Sequence, residues 1–169
     1  MKQRVIIDTG PLVAFINRRE HLHTWVINTL ATIEQPLLTC EPVIVETCFL
    51  LRNIYGGQDM VMSLLDEGKI LISMCLSEEA AIIKELLRQY QSVPMSLADA
   101  CLVRMTQLYP ESELLTFDSD FRIYRKNRNQ SINFCDYARG FVRIGLRTIA
   151  PKHHIMQGSF AAREKRAYF

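Results

Sequence analysis

Four short apolar runs, each leading into residues at helical spacing, constrain this chain more than any other feature. Arg4–Ile7 is β-branched and ends at Asp8. Leu37–Cys40, Lys69–Met74 and Glu113–Phe117 have the same strand-like form, and the last ends at Asp118. Between them the apolar period changes. Leu12–Ile16 reads as a short helix after a break at Thr9-Gly10-Pro11. His21–Ile33 places Leu22, Trp25, Val26, Thr29, Leu30 and Ile33 at three- and four-residue steps, as an amphipathic helix does. Glu41-Pro42 suits a helix start and Val43–Tyr55 continues it, with Gly56-Gly57 as the stop. Asp59–Glu67 is predicted as a further helix. Ser77 is predicted to cap one over Glu78–Tyr90, and Ser96 opens another to Leu108. A last strand fits Ser131–Cys135. Strands alternating with helices predict an α/β/α sandwich around a mainly parallel sheet.

The size of the chain, 169 residues, suits one compact domain. The expected division is a body over residues 1–135 and a basic extension over residues 136–169. With 49% apolar residues the body can bury a core without staples. No apolar run reaches the roughly 18–20 residues a bilayer span requires, and the N-terminus lacks a signal-peptide pattern, so a cytoplasmic protein is expected. Cys40, Cys48, Cys75, Cys101 and Cys135 are odd in number and contain no C-x-x-C pair. Reduced thiols fit better than disulfides or a zinc site.

Net charge is +2, but it is unevenly placed. Residues 1–121 carry 9 Lys/Arg against 16 Asp/Glu, and residues 122–169 carry 11 against 2. An acidic body with a basic end suits metal binding beside a polyanion-binding surface, although a solvated body with a loose basic tail has the same balance.

Four acids stand where a structural carboxylate is awkward. Asp8 and Asp118 each close a strand, and ligands of open parallel sheets bind beyond the carboxyl ends of strands. Glu46 has Pro42, Val43, Phe49 and Leu50 as helical neighbours, and Asp99 has Met95, Ser96, Leu102 and Val103, so both project from apolar faces. A carboxylate so placed must shift its pKa or find a cation. Two of them about 4 Å apart repel by roughly 4 kcal/mol at an effective dielectric near 20. Four converging acids therefore call for a hard cation such as Mg²⁺ or Mn²⁺. Each acid alone has a plainer use. Asp99 can cap its helix, Asp118 can cap the turn Asp118-Ser119-Asp120-Phe121, Glu46 can pair with Arg52 or Arg104, and Asp8 can serve a turn.

Val-Ile-Ile-Asp8-Thr9-Gly-Pro-Leu, Glu46 in an early helix, Leu-Ala-Asp99-Ala100 and Leu-Leu-Thr116-Phe-Asp118-Ser-Asp120-Phe121 together resemble the PIN-domain family. Within it they are most similar to the VapC-like ribonucleases, many of which are toxins of toxin–antitoxin pairs. The resemblance covers about residues 3–134 and leaves the C-terminal stretch unmatched. It implies a metal-dependent ribonuclease with Asp8, Glu46 and Asp99 as core metal-binding acids and Asp118 as a fourth, more variable one. Thr9, Ser96 and Thr116 match supporting hydroxyls, and Asp120 a polar position of the last motif. A bound ion would acidify its water for attack on an RNA phosphodiester. No His is then needed as base, and His21, His23, His153 and His154 are expected at the surface. The resemblance also implies a homodimer and a small antitoxin that blocks the acidic pocket.

Arg122, Tyr124, Arg125 and Lys126 follow the last acidic motif and are expected to meet RNA, the cations on phosphates and the ring on a base. A solvated basic turn is the alternative. Two other readings of the whole chain remain: a PIN-like module that binds RNA or protein without cutting, and a housekeeping RNA-processing nuclease. A phosphohydrolase of the haloacid-dehalogenase kind wants a second Asp two residues after the first, and position 10 is Gly. A small DNA-binding protein encoded immediately upstream would support the toxin reading.

Overall fold

The computed structural model describes residues 4–127 and 129–135. The expected extension over residues 136–169 lies outside the described residues. The core is a four-stranded sheet in the order β3-β2-β1-β4, formed by β1 (Val5–Ile7), β2 (Leu37–Thr39), β3 (Ile70–Ile72) and β4 (Glu113–Leu115). All pairings are parallel, with Ile6 opposite Leu38 on one side and Leu114 on the other. β1 is thus central. The chain leaves it toward β2 on one side and returns on the other as β4, which makes the β1/β4 ends a switch point of the sheet.

Helices flank this sheet. α1 (Thr9–Ile16) begins one residue after Asp8, so Thr9-Gly10-Pro11 is its first turn and not the break expected. Proline fits there because first-turn N–H groups have no intrahelical acceptor to lose. α2 (His23–Leu30) and α3 (Glu41–Leu50) follow; α3 ends well before Gly56-Gly57. Gly56 instead takes φ +70° at the N-cap of α4 (Gly57–Asp66), a left-handed turn that favours glycine. α5 (Leu76–Gln89) starts earlier than predicted, with Cys75 and not Ser77 at its N-cap. α6 (Leu97–Leu108) starts as expected after Ser96.

Beyond β4 lies a 3-10 turn, Ser119–Arg122, and then a hairpin of β5 (Arg125–Lys126) and β6 (Gln130–Ser131). The last expected strand is therefore divided: Ser131 belongs to β6, and Phe134 makes a parallel bridge to Leu114 at the β4 edge.

Ile6, Ile7, Leu12, Leu102, Met105, Leu114 and Leu115 are fully enclosed in the core. The cysteines are free thiols, with Cys40, Cys101 and Cys135 buried, Cys48 partly so and Cys75 exposed. Among the described residues no helix is long and apolar enough to cross a membrane.

Candidate active site

Asp8 sits where β1 stops and α1 starts. Its backbone N–H extends the strand ladder to Leu115 O at 3.1 Å, and its side chain caps α1. Oδ1 accepts from Thr9 N at 2.6 Å and Oδ2 accepts from the Thr116 hydroxyl at 2.6 Å. The residue is only 8% exposed. Burial pushes its carboxyl up to about 7; the Thr116 and Thr9 hydrogen bonds oppose this, and the charges of Asp99 and Glu46 add to it. A carboxyl in this state is half protonated near neutrality, and any cation brought to it would restore the anion.

Thr9 ties the next acid in. Its hydroxyl donates to Glu46 Oε2 at 2.8 Å, joining α1 to the middle of α3. Thr116 Oγ1 likewise serves twice, donating to Asp8 and accepting from Asp118 N at 3.0 Å. One connected path therefore runs from Asp118 through Thr116, Asp8 and Thr9 to Glu46.

Asp99 enters from α6. It forms a capping box with Ser96: the Asp99 carboxylate accepts from Ser96 N at 2.8 Å, and Asp99 N donates to Ser96 Oγ at 3.0 Å. Burial raises its pKa, the Ser96 bonds lower it, and the Asp118 and Glu46 carboxylates raise it again. Asp118 accepts from Asp120 N at 2.8 Å and so caps the 3-10 turn. Asp120 is raised by burial and by Asp118. The plainer uses of Asp99 and Asp118 as caps are thus real, and they coexist with a shared electrostatic field.

Two arginines once eligible to neutralise Glu46 have other contacts. Arg104 pairs with Glu79 at 2.7 Å, and Arg52 donates to Phe49 O at 2.7 Å and lies over the Phe49 ring. The face around Glu46 is also less buried than its apolar neighbours suggest. Val43 and Ile44 are in the core, but Phe49 is 58% exposed and Leu50 is exposed too.

The acids and hydroxyls are all oxygen donors of the hard kind that Mg²⁺ and Mn²⁺ take. Asp8 in particular is buried, raised and flanked by like charges, which a divalent cation would offset. Among the described residues, however, no three Asp, Glu, His or Cys side chains stand close enough to form a closed metal-binding group. The acids influence one another's charge without being clasped as a finished coordination shell.

The expected RNA contacts after the acidic motif are corrected by burial. Tyr124 is 0% exposed, with its ring edge-on to Tyr90 at 5.0 Å and to Phe121 at 5.3 Å, so it cannot stack on a base. Lys126 is buried and donates to Pro110 O at 2.8 Å. Arg125 turns back onto the carbonyls of Arg122, Ile123 and Tyr124. Of the four, Arg122 is exposed and Arg125 half-buried. The hairpin folds this stretch inward, because a core lies under Tyr124. His21 is exposed as expected, whereas His23 is partly buried with its Nδ1 at 2.8 Å from Ala14 O.

Phe117 carries no sequence signal of its own, yet it braces the loop that holds Thr116 and Asp118. Its ring lies 5.7 Å from Trp25 of α2. A Cβ on Gly10 would come within 3.1 Å of Phe117 Cδ2, so the glycine lets α1 approach that ring. The available signal is Gly10 itself, two residues after Asp8.

A central parallel sheet with acids gathered at its switch point defines a class of α/β protein whose site lies at strand ends. The sequence model of the family described as "PIN domain" matches residues 5–127, and the chain belongs to that family. Its fold is similar to the crystal structure of VapC20 from Mycobacterium tuberculosis, described as a sarcin–ricin loop cleaving toxin. The TM-score is 0.59 at 17% identity, covering 69% of this chain and 91% of that one. No curated protein matches the sequence significantly.

Proposed function

We propose that this chain is a ribonuclease that uses Mg²⁺ or Mn²⁺ to hydrolyse RNA phosphodiester bonds, and that it is the toxin of a toxin–antitoxin pair. One observation carries the reading: Asp8, buried at the end of the central strand, holds a carboxyl raised to about 7 among the charges of Asp99 and Glu46. Membership of the PIN family and the likeness of the fold to a toxin that cleaves the sarcin–ricin loop support it.

Asp8, Glu46, Asp99 and Asp118 are the residues that would hold the ion. Held there, it would act as a Lewis acid on the phosphodiester and supply an acidified water. The chain's own part is to keep the acids in place. Thr116 and Thr9 fix both oxygens of Asp8, Thr9 orients Glu46, Ser96 holds Asp99, and the Asp120 backbone holds Asp118. Asp120 adds negative charge at the rim. Preorganisation of this kind removes the reorganisation that would otherwise accompany binding.

The proposed work is cytoplasmic, in keeping with a chain whose described residues hold no helix able to cross a membrane. A partner protein has apolar surface available: Val45 and Phe49 on α3 and Met60 and Met62 on α4 are exposed. Self-association and an antitoxin both fit such a face. The alternative reading is a PIN fold that binds RNA without cutting it.

The test is degradation of RNA by wild type and by Asp8→Asn, with Mg²⁺ or Mn²⁺ and with chelator. Cleavage that needs the ion and is lost in the variant is expected. Equal cutting by both proteins would refute the roles assigned, and no cutting by wild type with Mn²⁺ would favour the binding module.

A further inference from the structure

A surface patch of carboxylates repels a polyanion, so an RNA strand brought to these acids must be held by cations elsewhere. Five of the eleven basic side chains among the described residues have other work. Arg4 and Arg52 lie over the rings of Tyr109 and Phe49, Arg104 pairs with Glu79, and Arg125 and Lys126 hold backbone carbonyls. Lys84 and Arg88 are among the rest. Both are exposed, neither makes an ion pair among the described residues, and they stand one helical turn apart on α5.

Both also line one cavity of about 470 Å³ between α5 and the start of α6. Its apolar wall includes Leu76, Ile83, Leu87 and Leu97, and no Asp or Glu lines it. Leu97 is 43% exposed and lies in the chain between Ser96 and Asp99, the two partners of the capping box. The groove therefore reaches the same helical turn that carries Asp99 to the acid cluster.

We propose that this groove binds the single-stranded RNA flanking the phosphate to be cut, with Lys84 and Arg88 on its phosphates and a base face against Leu87 and Leu97. This inference rests on the ribonuclease reading above. A cationic rim over an apolar wall suits single strands, because the charges follow the backbone while any base can cover the wall. Charge complementarity favours RNA over a protein as occupant: two cations and no acid line the groove. Side chains at α5 positions 84 and 88 touch none of the acids, so they can be changed without rebuilding the site.

The experiment is binding of a fluorescein-labelled single-stranded RNA, read by anisotropy over a salt series. It uses the full chain in the cleavage-suppressed Asp8→Asn form with Mg²⁺. Lys84→Ala with Arg88→Ala is expected to raise Kd roughly tenfold or more and to reduce the log–log salt slope by about 1.4, near 0.7 per phosphate lost. Lys69→Ala, which lines a different cavity and removes one positive charge, serves as the control and should leave both unchanged. In proteins with Asp8 intact, the double variant should lose cleavage of a long RNA more than cleavage of a dinucleotide too short to reach the groove. An unchanged Kd and slope overturn the proposal, even if wild type cuts RNA well. Weakened binding sustains the groove, even if wild type cuts nothing and the nuclease reading falls. A double variant that keeps RNA but loses a protein partner overturns it in favour of that partner.

Discussion

Asp8→Asn should make the metal-free protein more stable at alkaline pH while abolishing cleavage. The carboxyl is raised from its ordinary 3.8 to about 7, chiefly by burial. A shift of about 3 units at 1.36 kcal/mol each gives about 4 kcal/mol between folded and unfolded forms. Because the folded state binds the proton more tightly, this stability is fully present below about pH 4. It is lost as pH rises toward 7, and above that the folded chain carries a buried anion. Asparagine keeps the shape without the charge. It can accept from Thr9 N or from the Thr116 hydroxyl but not from both, a loss of about 1 kcal/mol. The net gain expected at pH 8 is about 2–3 kcal/mol, or roughly 5–10 °C in Tm for a chain of this size. At pH 5 the gain should shrink to under about 1 kcal/mol. Urea unfolding of both proteins in chelator at the two pH values measures this. A variant no more stable than wild type at pH 8, or an advantage as large at pH 5, would show that the buried charge of Asp8 does not govern the stability of this site.

Added Mn²⁺ should raise the Tm of wild type more at pH 8 than at pH 5 and leave Asp8→Asn nearly unmoved, since the acids must lose protons to bind it; calorimetry with equal shifts in both proteins would contradict this. Thr116→Val removes the donation to Asp8 and the acceptor for Asp118 N. The acid limb of the cleavage profile should move to higher pH, with roughly tenfold lower rate at pH 7; a profile superimposable on wild type would refute it. The Tyr124 hydroxyl is buried with no hydrogen-bond partner among the described residues, so Tyr124→Phe should leave stability unchanged or raise it by about 1 kcal/mol. Tyr124→Ala should lower it by about 3–5 kcal/mol, as for other large buried rings. Denaturation measures both, and a loss confined to RNA affinity would reverse the assignment of this ring to the core.

Much of the scaffold is readable from sequence because its signals are local. Val5–Ile7 announces a strand by its side chains, α5 and α6 announce helices by period, and Ser96 with Asp99 spells a capping box three residues apart. The same locality misleads at Thr9-Gly10-Pro11. A proline and a glycine together suggest a break, yet the first turn of a helix tolerates both. Lys126 and Tyr124 mislead for another reason: a basic, polar run reads as surface until a hairpin turns it inward.

Sequence alone determined the kinds of side chain available and the short elements that carry them, since backbone period, caps and strand preference act over a few neighbours. It also supplied the four acids at strand ends and on helices. Only the tertiary structure decided which of these meet. Thr116 reaches Asp8 across 108 positions because parallel pairing sets β4 beside β1, and Thr9 reaches Glu46 across 37 because α1 packs against α3. The same packing buried Tyr124 and left Lys84 and Arg88 in solvent. Burial and long-range charge depend on what else occupies the space around a group, and no stretch of chain encodes its own surroundings.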